Sequence, residues 1–336
     1  MGIYFIERVD MLAFVTGATG LVGANLVAAL NERGHTVRIL RRATSRLDAL
    51  EGLTYEEVVG DVLDEASLIQ GMEGCDWVFH AAGVADYWRS GVERLYRVNV
   101  IGTRRVMAAA LKCGVRRVVN TSSVAALGVP EPGQLLDESH SFNLRPEQFR
   151  YGHSKALAER EVLRFVEQGL PAVIVNPGAI LGPRDVHLIS GSLIREVARH
   201  WIPISLPGGM SLIDVRAVAE AQIAAAERGR VGHRYILGGI NIYHHDLLTA
   251  VARVVGQRPP IMVVPRPLCI PLAWGVAALQ LVWPRPLPMS SEQLRLSVET
   301  FFVNSEKAER ELGLRPTVLE QVIYDTYAWY RDHGML

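Results

Sequence analysis

The sequence has few cysteines and no net charge, and each of these two features excludes some classes of protein. The three cysteines are Cys75, Cys113 and Cys269, and their spacing matches no metal or redox motif. The 35 Lys and Arg residues balance 35 Asp and Glu residues, which argues against nucleic-acid binding and against a strongly acidic partner. We therefore expect a cytoplasmic protein with reduced thiols, no metal centre and a small-molecule ligand.

The chain also lacks a long uninterrupted apolar run. The N-terminus has no apolar signal core, so we expect no export signal and treat residues 1–10 as a short extension. Residues 267–284 carry no charge and approach the length of a membrane span, but Pro271 and Gln280 interrupt them. We expect a buried or surface-lying helix there rather than an integral span. Two roles for this helix are left as alternatives: it could contact a membrane surface peripherally, or it could form a wall of an apolar substrate pocket.

The chain does contain a glycine-rich turn between a strand pattern and a helix pattern. Gly17, Gly20 and Gly23 follow the apolar residues 12–15, and helical spacing of apolar residues begins at Leu21. The early glycines permit a tight turn and a close approach of backbone N–H groups to a pyrophosphate, and Gly23 lets the helix pack close to the strand. The pattern predicts a dinucleotide site; a packing turn without a ligand is the alternative.

The second strand pattern ends in Arg41 and Arg42, which bears on the type of dinucleotide. In a sheet of this kind the residue at this place meets the adenosine ribose, and an acid there selects NAD. Guanidinium groups instead suit a 2′-phosphate through planar bidentate contacts. We therefore predict NADP(H) as the preferred cofactor, with NAD(H) possible. A solvated basic loop is the alternative reading of the two arginines.

The order of elements predicts the fold class. Strand and helix patterns alternate through the first half of the chain, which predicts a Rossmann-type α/β fold with a doubly wound parallel sheet. We expect residues 11–182 to form the dinucleotide-binding domain, with later segments returning to it. Residues 183–336, where the pattern is less regular, are expected to form mainly a smaller mixed substrate lobe. An aromatic stripe at Tyr324, Tyr327 and Tyr330 is expected to pack in the core.

Four polar residues could carry chemistry. Tyr151 and Lys155 are four apart, so on a helix they share a face, and a nearby ammonium would lower the phenol's pKa enough for proton transfer. Ser123 ends a strand and could bond a substrate oxygen, or only cap the next segment. Asn99 could hold a water that links Lys155 to solvent, or be a buried amide at a helix bend. His80 is expected to be a buried, satisfied histidine.

Taken together these segments resemble an extended short-chain dehydrogenase/reductase over nearly the full chain. Within that superfamily the sequence is similar to the dihydroflavonol reductase-like group and to the hopanoid-associated sugar epimerase group. The matching segments are residues 16–23, 60–61, 80–83, 99–103, 121–123, 151–155, 176–178, 181–183, 235–239 and 307–313.

The resemblance implies a catalytic set of Ser123, Tyr151 and Lys155, with NAD(P) lying across the strand ends. It also implies a homodimer, since a two-helix dimer contact is common in such proteins. Residues expected against the cofactor are Gly17, Thr19, Gly20, Leu21, Val22, Gly23, Arg41, Arg42, Asp61, Val62, Ala81, Ala82, Gly83, Thr121, Tyr151, Lys155, Pro177, Gly178, Ala179 and Ile180. Residues expected against the substrate are Asp86, Tyr87, Trp88, Ser123, Arg184, Asp185 and His187.

Two segments depart from sugar-nucleotide epimerases. Residues 126–128 read Ala-Leu-Gly where epimerases usually have Tyr-Gly, and residues 181–183 read Leu-Gly-Pro instead of Tyr-Gly-Pro. Both changes make the site less polar. We therefore predict an NADP(H)-dependent oxidoreductase that reduces a carbonyl, or oxidises an alcohol, of a small and fairly apolar substrate, with Tyr151 moving the proton. A nucleotide-sugar epimerase or dehydratase is the alternative, and a non-catalytic NADP-binding regulator is a third.

Overall fold

The computed structural model describes residues 10–85, 91–189, 191–282 and 291–336. Its main sheet has seven parallel strands: β1 (Leu12–Thr16), β2 (Thr36–Arg41), β3 (Glu56–Val59), β4 (Trp77–His80), β5 (Arg117–Thr121), β6 (Ala172–Pro177) and β10 (Arg234–Leu237). Their order in the sheet is β10-β6-β5-β4-β1-β2-β3. Successive strands are added in one direction from β1 to β3 and in the other direction from β4 onward. The carboxyl ends of β1 and β4 therefore border the crevice where such sheets bind ligands.

Helices cover both faces of this sheet, because the central strands are apolar on both sides. One face packs against α1 (Leu21–Glu32) and α7 (Val215–Arg228). The other face packs against α2 (Glu65–Met72), α4 (Thr103–Cys113) and α5 (Arg150–Val166). Every residue of β6 is buried, as expected for a strand with helices above and below it. The predicted doubly wound α/β fold is confirmed.

The helix before β5 is irregular. The sequence predicts one helix from Leu95 to Leu111, whereas the structure has α3 (Val92–Tyr96), a π-helical segment (Arg97–Gly102) and then α4. A π-helical turn adds a residue to the turn and often marks a functional region. Asn99 lies within this segment.

The second half of the chain builds a smaller lobe. Its sheet has the order β11 (Ile240–Tyr243), β9 (Gly209–Asp214) and β13 (Thr300–Phe301), and β7 (Ala179–Leu181) also pairs with β9. A separate pair joins β8 (Ile204–Ser205) to β12 (Met262–Val263). Its helices are α6 (Ser192–Arg199), α8 (His244–Val255), α9 (Arg266–Val282), α10 (Ser291–Leu296) and α12 (Leu319–Asp332).

The two parts are interleaved. Strand β10, helix α7 and helix α11 (Glu306–Leu312) pack with the main sheet although they follow residue 183, and β7 joins the smaller sheet although it precedes that residue. Within the described residues no helix is both long and apolar enough to cross a membrane.

The aromatic stripe on α12 is only partly in the core. Tyr330 is fully buried and Tyr327 packs partly against the core of the smaller lobe. Tyr324 is 52% exposed, so the prediction that it packs in the core is wrong. The reason is geometric, because residues 324, 327 and 330 advance by three along a helix with 3.6 residues per turn, and the stripe rotates away from the core at one end.

Candidate active site

A cleft of about 700 Å³ opens at the carboxyl ends of the main-sheet strands. Every residue predicted to contact the cofactor lines it: Gly17, Thr19, Gly20, Leu21, Val22, Gly23, Arg41, Arg42, Asp61, Val62, Ala81, Ala82, Gly83, Thr121, Tyr151, Lys155, Pro177, Gly178, Ala179 and Ile180. Ser123 and His187 line it too. The parallel strands bring these segments together because their carboxyl ends meet at one edge of the sheet.

The glycine turn is packed too tightly for a side chain at Gly17 and at Gly23. Gly17 has a φ of 73°, and a Cβ placed on it would lie 2.5 Å from the backbone nitrogen of Ala82. A Cβ on Gly23 would lie 2.2 Å from the carbonyl oxygen of Gly17. Gly20 caps α1 without a side chain, and the first turn of α1 contains no acid. The first amides of α1 are therefore open toward the cleft, which suits a phosphate group.

The two arginines at the end of β2 have different surroundings. Arg41 forms a bidentate ion pair with Glu57 on β3, with Nε–Oε2 and Nη2–Oε1 distances of 2.6 and 2.7 Å. This pair raises the pKa of Arg41 and lowers that of Glu57. The exposed Arg42 has no ion pair within the described part of the chain, and its amide donates to the hydroxyl of Ser45, which also lines the cleft. Arg42 is thus the arginine whose guanidinium is not already paired.

Ser123, Tyr151 and Lys155 come together on the same cleft from two elements. Ser123 follows β5 and caps a short 3-10 turn (Val124–Leu127), where its Oγ accepts from the amide of Ala125 at 3.2 Å. Tyr151 and Lys155 lie in the first turns of α5. The Lys155 Nζ donates to the carbonyl oxygen of Thr121 at 3.0 Å. Ser123 also hydrogen-bonds the Tyr151 phenol, so the capping role and the active-site role of this serine coexist.

The pKa values of this set differ from the sequence-based expectation. Burial raises the pKa of the Tyr151 phenol, and the hydrogen bond with Ser123 opposes that effect only in part. Burial also lowers the pKa of Lys155 to about 8, although the nearby carboxylate of Glu159 opposes that change. The predicted lowering of the phenol's pKa by the ammonium is therefore not seen. Burial of both groups dominates.

Glu159 is a site residue that the sequence analysis missed. It lies one turn after Lys155 on α5 and is almost fully buried. Its Oε1 accepts from the Ser122 hydroxyl at 2.5 Å and from the Asn176 amide at 2.6 Å, and its Oε2 lies 3.2 Å from Arg234. The available signal was a glutamate four residues after a lysine on the face of a helix that turns toward a sheet.

Asn99 is a buried amide that fixes the irregular helix. Its Oδ1 accepts from the amide of Val84 at 2.7 Å, and its Nδ2 donates to the Val84 carbonyl and to the Ser154 hydroxyl, each at 3.0 Å. The side chain does not line the cleft, and the structure shows the buried amide at a helix bend. The water link between Asn99 and Lys155 stays a prediction. Asn99 holds the chain after β4 against α5, which carries Tyr151 and Lys155.

His80 is buried and satisfied, as predicted. Its ring nitrogens lie 2.7 Å from the Thr16 hydroxyl and 3.0 Å from the Thr103 hydroxyl. Burial lowers its pKa to about 3, so the ring is neutral near pH 7. It connects β1, β4 and α4 beneath the glycine turn.

The predicted substrate residues have different outcomes. Asp86, Tyr87 and Trp88 lie outside the described residues. Arg184 does not line the cleft, because its Nη1 donates to the carbonyl oxygens of Ala49 and Glu51 at 2.7 and 3.2 Å.

Asp185 is buried and does not line the cleft either. It accepts hydrogen bonds from the amides of Ile189 and Gly191 and from the Tyr330 hydroxyl, at 3.0 to 3.1 Å. The structure thus gives the polar atoms of Arg184 and Asp185 partners within the protein and does not bring either residue to the cleft. Their contact with a substrate stays a prediction. Apolar residues that the sequence did not identify line the cleft instead, namely Phe149, Ile189, Met210 and Phe301.

Comparison with known proteins places the chain in a family. The model of the NAD-dependent epimerase/dehydratase family matches residues 13–238. A putative dihydroflavonol 4-reductase from Synechocystis sp. is 39% identical, covering 96% of this chain and 95% of the relative. Sterol demethylase protein B from Methylococcus capsulatus is 34% identical, covering 97% of this chain and 100% of the relative.

Two further comparisons agree with this. A 4-hydroxy-2-methyl-3-oxo-4-farnesyl-3,4-dihydroquinoline-1-oxide ketoreductase from Stigmatella aurantiaca is 32% identical, covering 93% of this chain and 94% of the relative. Among solved structures, that of gox2253 superposes with a TM-score of 0.86 at 36% identity, covering 97% of this chain and 100% of that one. The chain therefore belongs to the NAD-dependent epimerase/dehydratase family and is an NAD(P)-dependent oxidoreductase of the extended short-chain dehydrogenase/reductase type.

Proposed function

We propose that this protein reduces a carbonyl group of a small lipophilic substrate, or oxidises the corresponding alcohol, with NADP(H) as the hydride carrier. One observation carries the proposal: Ser123, Tyr151 and Lys155 line the same cleft as the glycine turn and the apolar Met210 and Phe301. A proton-transfer set, a dinucleotide turn and an apolar surface in one cleft are what hydride transfer to a lipophilic carbonyl requires.

The residues present fit a phosphorylated dinucleotide. The backbone at Gly17 and Gly23 leaves no room for a Cβ, and the first amides of α1 are uncapped. At the other end of the cleft, Arg42 and Ser45 offer a guanidinium and a hydroxyl to a 2′-phosphate. When bound, the cofactor supplies the hydride for reduction of the substrate carbon or accepts it in the reverse reaction.

Tyr151, Ser123 and Lys155 would carry out the proton transfer that accompanies the hydride transfer. Because burial raises its pKa, the Tyr151 phenol keeps its proton near neutral pH and can donate it to the carbonyl oxygen during reduction. The Ser123 hydroxyl donates a hydrogen bond to the same oxygen. Lys155, whose pKa is about 8, is mostly an ammonium near pH 7 and stabilises the phenolate that the transfer leaves. Oxidation of the alcohol reverses these steps.

The names of relatives support a lipophilic substrate. The relative from Stigmatella aurantiaca is named for a farnesylated quinoline oxide, and the one from Methylococcus capsulatus for a sterol. The apolar cleft residues Phe149, Ile189, Met210 and Phe301 suit a flat hydrocarbon surface. We infer from both observations that the substrate is a ketone or secondary alcohol on a flat apolar skeleton.

The test is a Tyr151→Phe variant assayed with a 3-ketosteroid and a dihydroflavonol as probe substrates. We expect loss of NADPH-dependent reduction by about a hundredfold or more, since the phenol supplies general acid catalysis. NADPH binding, measured by calorimetry, should be retained. The matched control is Tyr96→Phe, which also removes a half-buried hydroxyl, one that bonds His153 at 2.9 Å, outside the cleft.

The outcomes separate the proposals. A Tyr151→Phe variant that keeps its activity overturns the acid–base role. Wild-type protein that binds NADPH but reduces no probe favours the regulator, and failure to bind NADPH removes the cofactor assignment. If NADH binds more tightly than NADPH, the preference assigned to Arg42 is wrong.

A nucleotide-sugar epimerase or dehydratase remains the alternative within the family. Such an enzyme needs cations for the substrate diphosphate. None of Arg184, Arg195 and Arg199 lines the cleft in the described part of the chain, whereas Arg94 does. Turnover of UDP-glucose by protein that carries co-purified NAD, without added cofactor, would favour this alternative over the reductase.

We further propose a cytoplasmic homodimer. The described cysteines form no disulfide, which suits a reducing compartment. Helices α4 and α5 lie side by side on one face of the main sheet, joined by the Arg104–Glu161 ion pair at 2.7 Å, and could form a two-helix contact with a second copy. Light scattering after size exclusion measures the mass in solution and tests the dimer.

A further inference from the structure

The smaller lobe exposes an apolar surface that the proposed reaction does not use. It consists of Trp201 and Ile204, residues 261–263 on and beside β12, and the outward side of α9. We call this surface the apolar platform. Ile261 is 72% exposed and Trp274 is 64% exposed, whereas large apolar side chains on a soluble surface are usually scattered singly.

Helix α9 is apolar on its solvent side. Of the residues 266–279, whose burial the structure describes, only Cys269 and Ala273 are buried, with Val276 and Ala277 partly covered. At 100° per residue, the exposed side chains of Leu268, Ile270, Leu272, Trp274 and Leu279 spread over more than half of the helix circumference. No acidic or basic residue stands between Arg266 and the end of the helix. Such a helix would expose a broad hydrocarbon face to water if nothing covered it.

The charge around the platform has one sign. No Asp or Glu occurs between Asp246 and Glu292, while Arg253, Arg258 and Arg266 occur there among the described residues. Arg253 pairs with Glu320, but the exposed Arg258 and Arg266 have no ion-pair partner in the described part of the chain. Because the whole chain has zero net charge, the positive charge beside the platform is local. It complements a negatively charged surface.

We propose that the apolar platform docks the protein peripherally on an anionic lipid bilayer. Helix α9 has 17 residues with Pro271 inside it, so it is suited to lie in the interface rather than to cross the membrane. Trp201 and Trp274 are the amphipathic aromatic residues that favour the headgroup level. Each nearby arginine is also attracted to an anionic leaflet.

The platform is connected to the cleft through α10, which follows it in the chain. The Glu292 carboxylate accepts from the backbone amide of Arg150 at 3.1 Å, next to Tyr151, and lies 3.6 Å from the Arg150 guanidinium. Phe301, five residues after α10, lines the cleft. A lipophilic substrate dissolved in the bilayer would thus meet the protein on the side that leads to the cleft; this step alone rests on the proposed function.

The test is flotation of purified full-length protein with vesicles, with no substrate or cofactor present. Wild-type protein should float with phosphatidylcholine vesicles that contain about a quarter phosphatidylglycerol, and less with phosphatidylcholine alone. Trp274→Glu should weaken the binding at least about tenfold, because it places a charge in the apolar contact. The matched control is Tyr324→Glu, which adds the same charge at another exposed aromatic residue, on α12, and should bind like wild type.

The electrostatic part is tested separately. The double variant Arg258→Gln, Arg266→Gln should lose about tenfold or more in affinity for the anionic vesicles and little for neutral ones. The control Arg315→Gln removes one exposed arginine elsewhere and should have little effect. Circular dichroism of every variant checks that it is folded.

The proposal is overturned if wild-type protein stays unbound in the anionic vesicle sample, or if Tyr324→Glu reduces binding as much as Trp274→Glu does. It is also overturned if Trp274→Glu converts a dimer to a monomer, by sedimentation, while wild type shows no vesicle binding. The apolar platform would then be the interface with a second copy of the chain. Because no step of the reaction enters this readout, its failure leaves the proposed function standing.

Discussion

Arg41 and Arg42 are adjacent in sequence, but their side chains have different contacts. Arg41 is held by Glu57 on the neighbouring strand, and its two short contacts leave little of the guanidinium for a ligand. Arg42 and Ser45 form a tight turn beside the cleft, where a 2′-phosphate would distinguish NADP from NAD. We therefore expect the proposed selectivity for NADP over NAD to depend on Arg42 and not on Arg41.

Arg42→Gln should lower the preference for NADPH over NADH by about tenfold or more, since a charge-assisted contact to a phosphate contributes roughly 1.5 to 3 kcal/mol. The measurement is the ratio of kcat/KM values for the two cofactors. Arg41→Gln, the adjacent control, should change the ratio much less because Arg41 is paired with Glu57. An unchanged ratio in Arg42→Gln would contradict this role.

The pKa of Lys155 predicts the pH dependence of the reaction. Burial lowers it to about 8, so the ammonium is present below that pH and is lost as the pH rises through it. In the proposed mechanism, reduction depends on the ammonium to stabilise the phenolate of Tyr151. We therefore expect kcat/KM for carbonyl reduction to fall above a pH of about 8, because this parameter reports the free enzyme.

Initial rates between pH 6 and 10, roughly the range around this pKa, measure the profile. Lys155→Met should be much less active and should lose the descending limb. A limb that persists unchanged in this variant would assign the pH dependence to another group.

At the scale of elements, helix α5 brings three polar residues to the main sheet in successive turns. Tyr151 and Lys155 face the cleft, and Glu159 binds Ser122 and Asn176 at the ends of the neighbouring strands β5 and β6. Because Asn176 also donates to the Ser123 carbonyl at 3.0 Å, one network holds the helix and the serine together. The geometry of the proposed catalytic set therefore depends on how helix α5 packs on the main sheet.

Glu159→Gln tests this network. The substitution removes the carboxylate that raises the pKa of Lys155, so the descending limb of the pH profile should shift to lower pH. It also removes the partner of Arg234, whose guanidinium is mostly covered, and should lower the free energy of unfolding by about 3 kcal/mol.

The control is Glu161→Gln on the same helix, which breaks the pair with the more exposed Arg104 and should cost less than about 1 kcal/mol. Urea denaturation measures the stability and initial rates measure the profile. A Glu159→Gln enzyme whose pH profile matches wild type would leave Glu159 with only a structural role.

At the scale of the whole molecule, Asp185 links the loop that follows β7 to helix α12. It lies in the loop after β7 that brings His187 and Ile189 to the cleft, and it accepts a 3.0 Å hydrogen bond from Tyr330 on α12. Both side chains are buried, and burial together with the Asp185 charge raises the pKa of the Tyr330 phenol. The last helix therefore anchors a loop that lines the cleft.

Tyr330→Phe should lower the free energy of unfolding by about 1 to 3 kcal/mol, because it removes one donor from a buried carboxylate. Tyr324→Phe on the exposed side of the same helix should change stability by no more than about 0.5 kcal/mol. Thermal unfolding of both variants gives the comparison. Equal stability of the two would show that the contact with Asp185 contributes nothing.

Much of this protein follows from local sequence patterns. The glycine spacing at residues 17–23 dictates a turn that no side chain could fill, and the four-residue spacing of Tyr151 and Lys155 puts both on one helix face. The apolar runs of the central strands determine a sheet covered on both sides. These features depend on near neighbours in the chain, so the sequence alone determined the fold class and the composition of most of the cleft.

The tertiary structure decided what depends on distant partners. Glu57 is 16 residues from Arg41, Tyr330 is 145 residues from Asp185, and Arg184 reaches carbonyl oxygens more than 130 residues away. The pairing of Glu159 and the burial that shifts the pKa values of Tyr151 and Lys155 likewise arise only when the helices close on the sheet. The sequence gives the type of each side chain. Only the fold determines which neighbours bind its polar atoms and which exclude water from it.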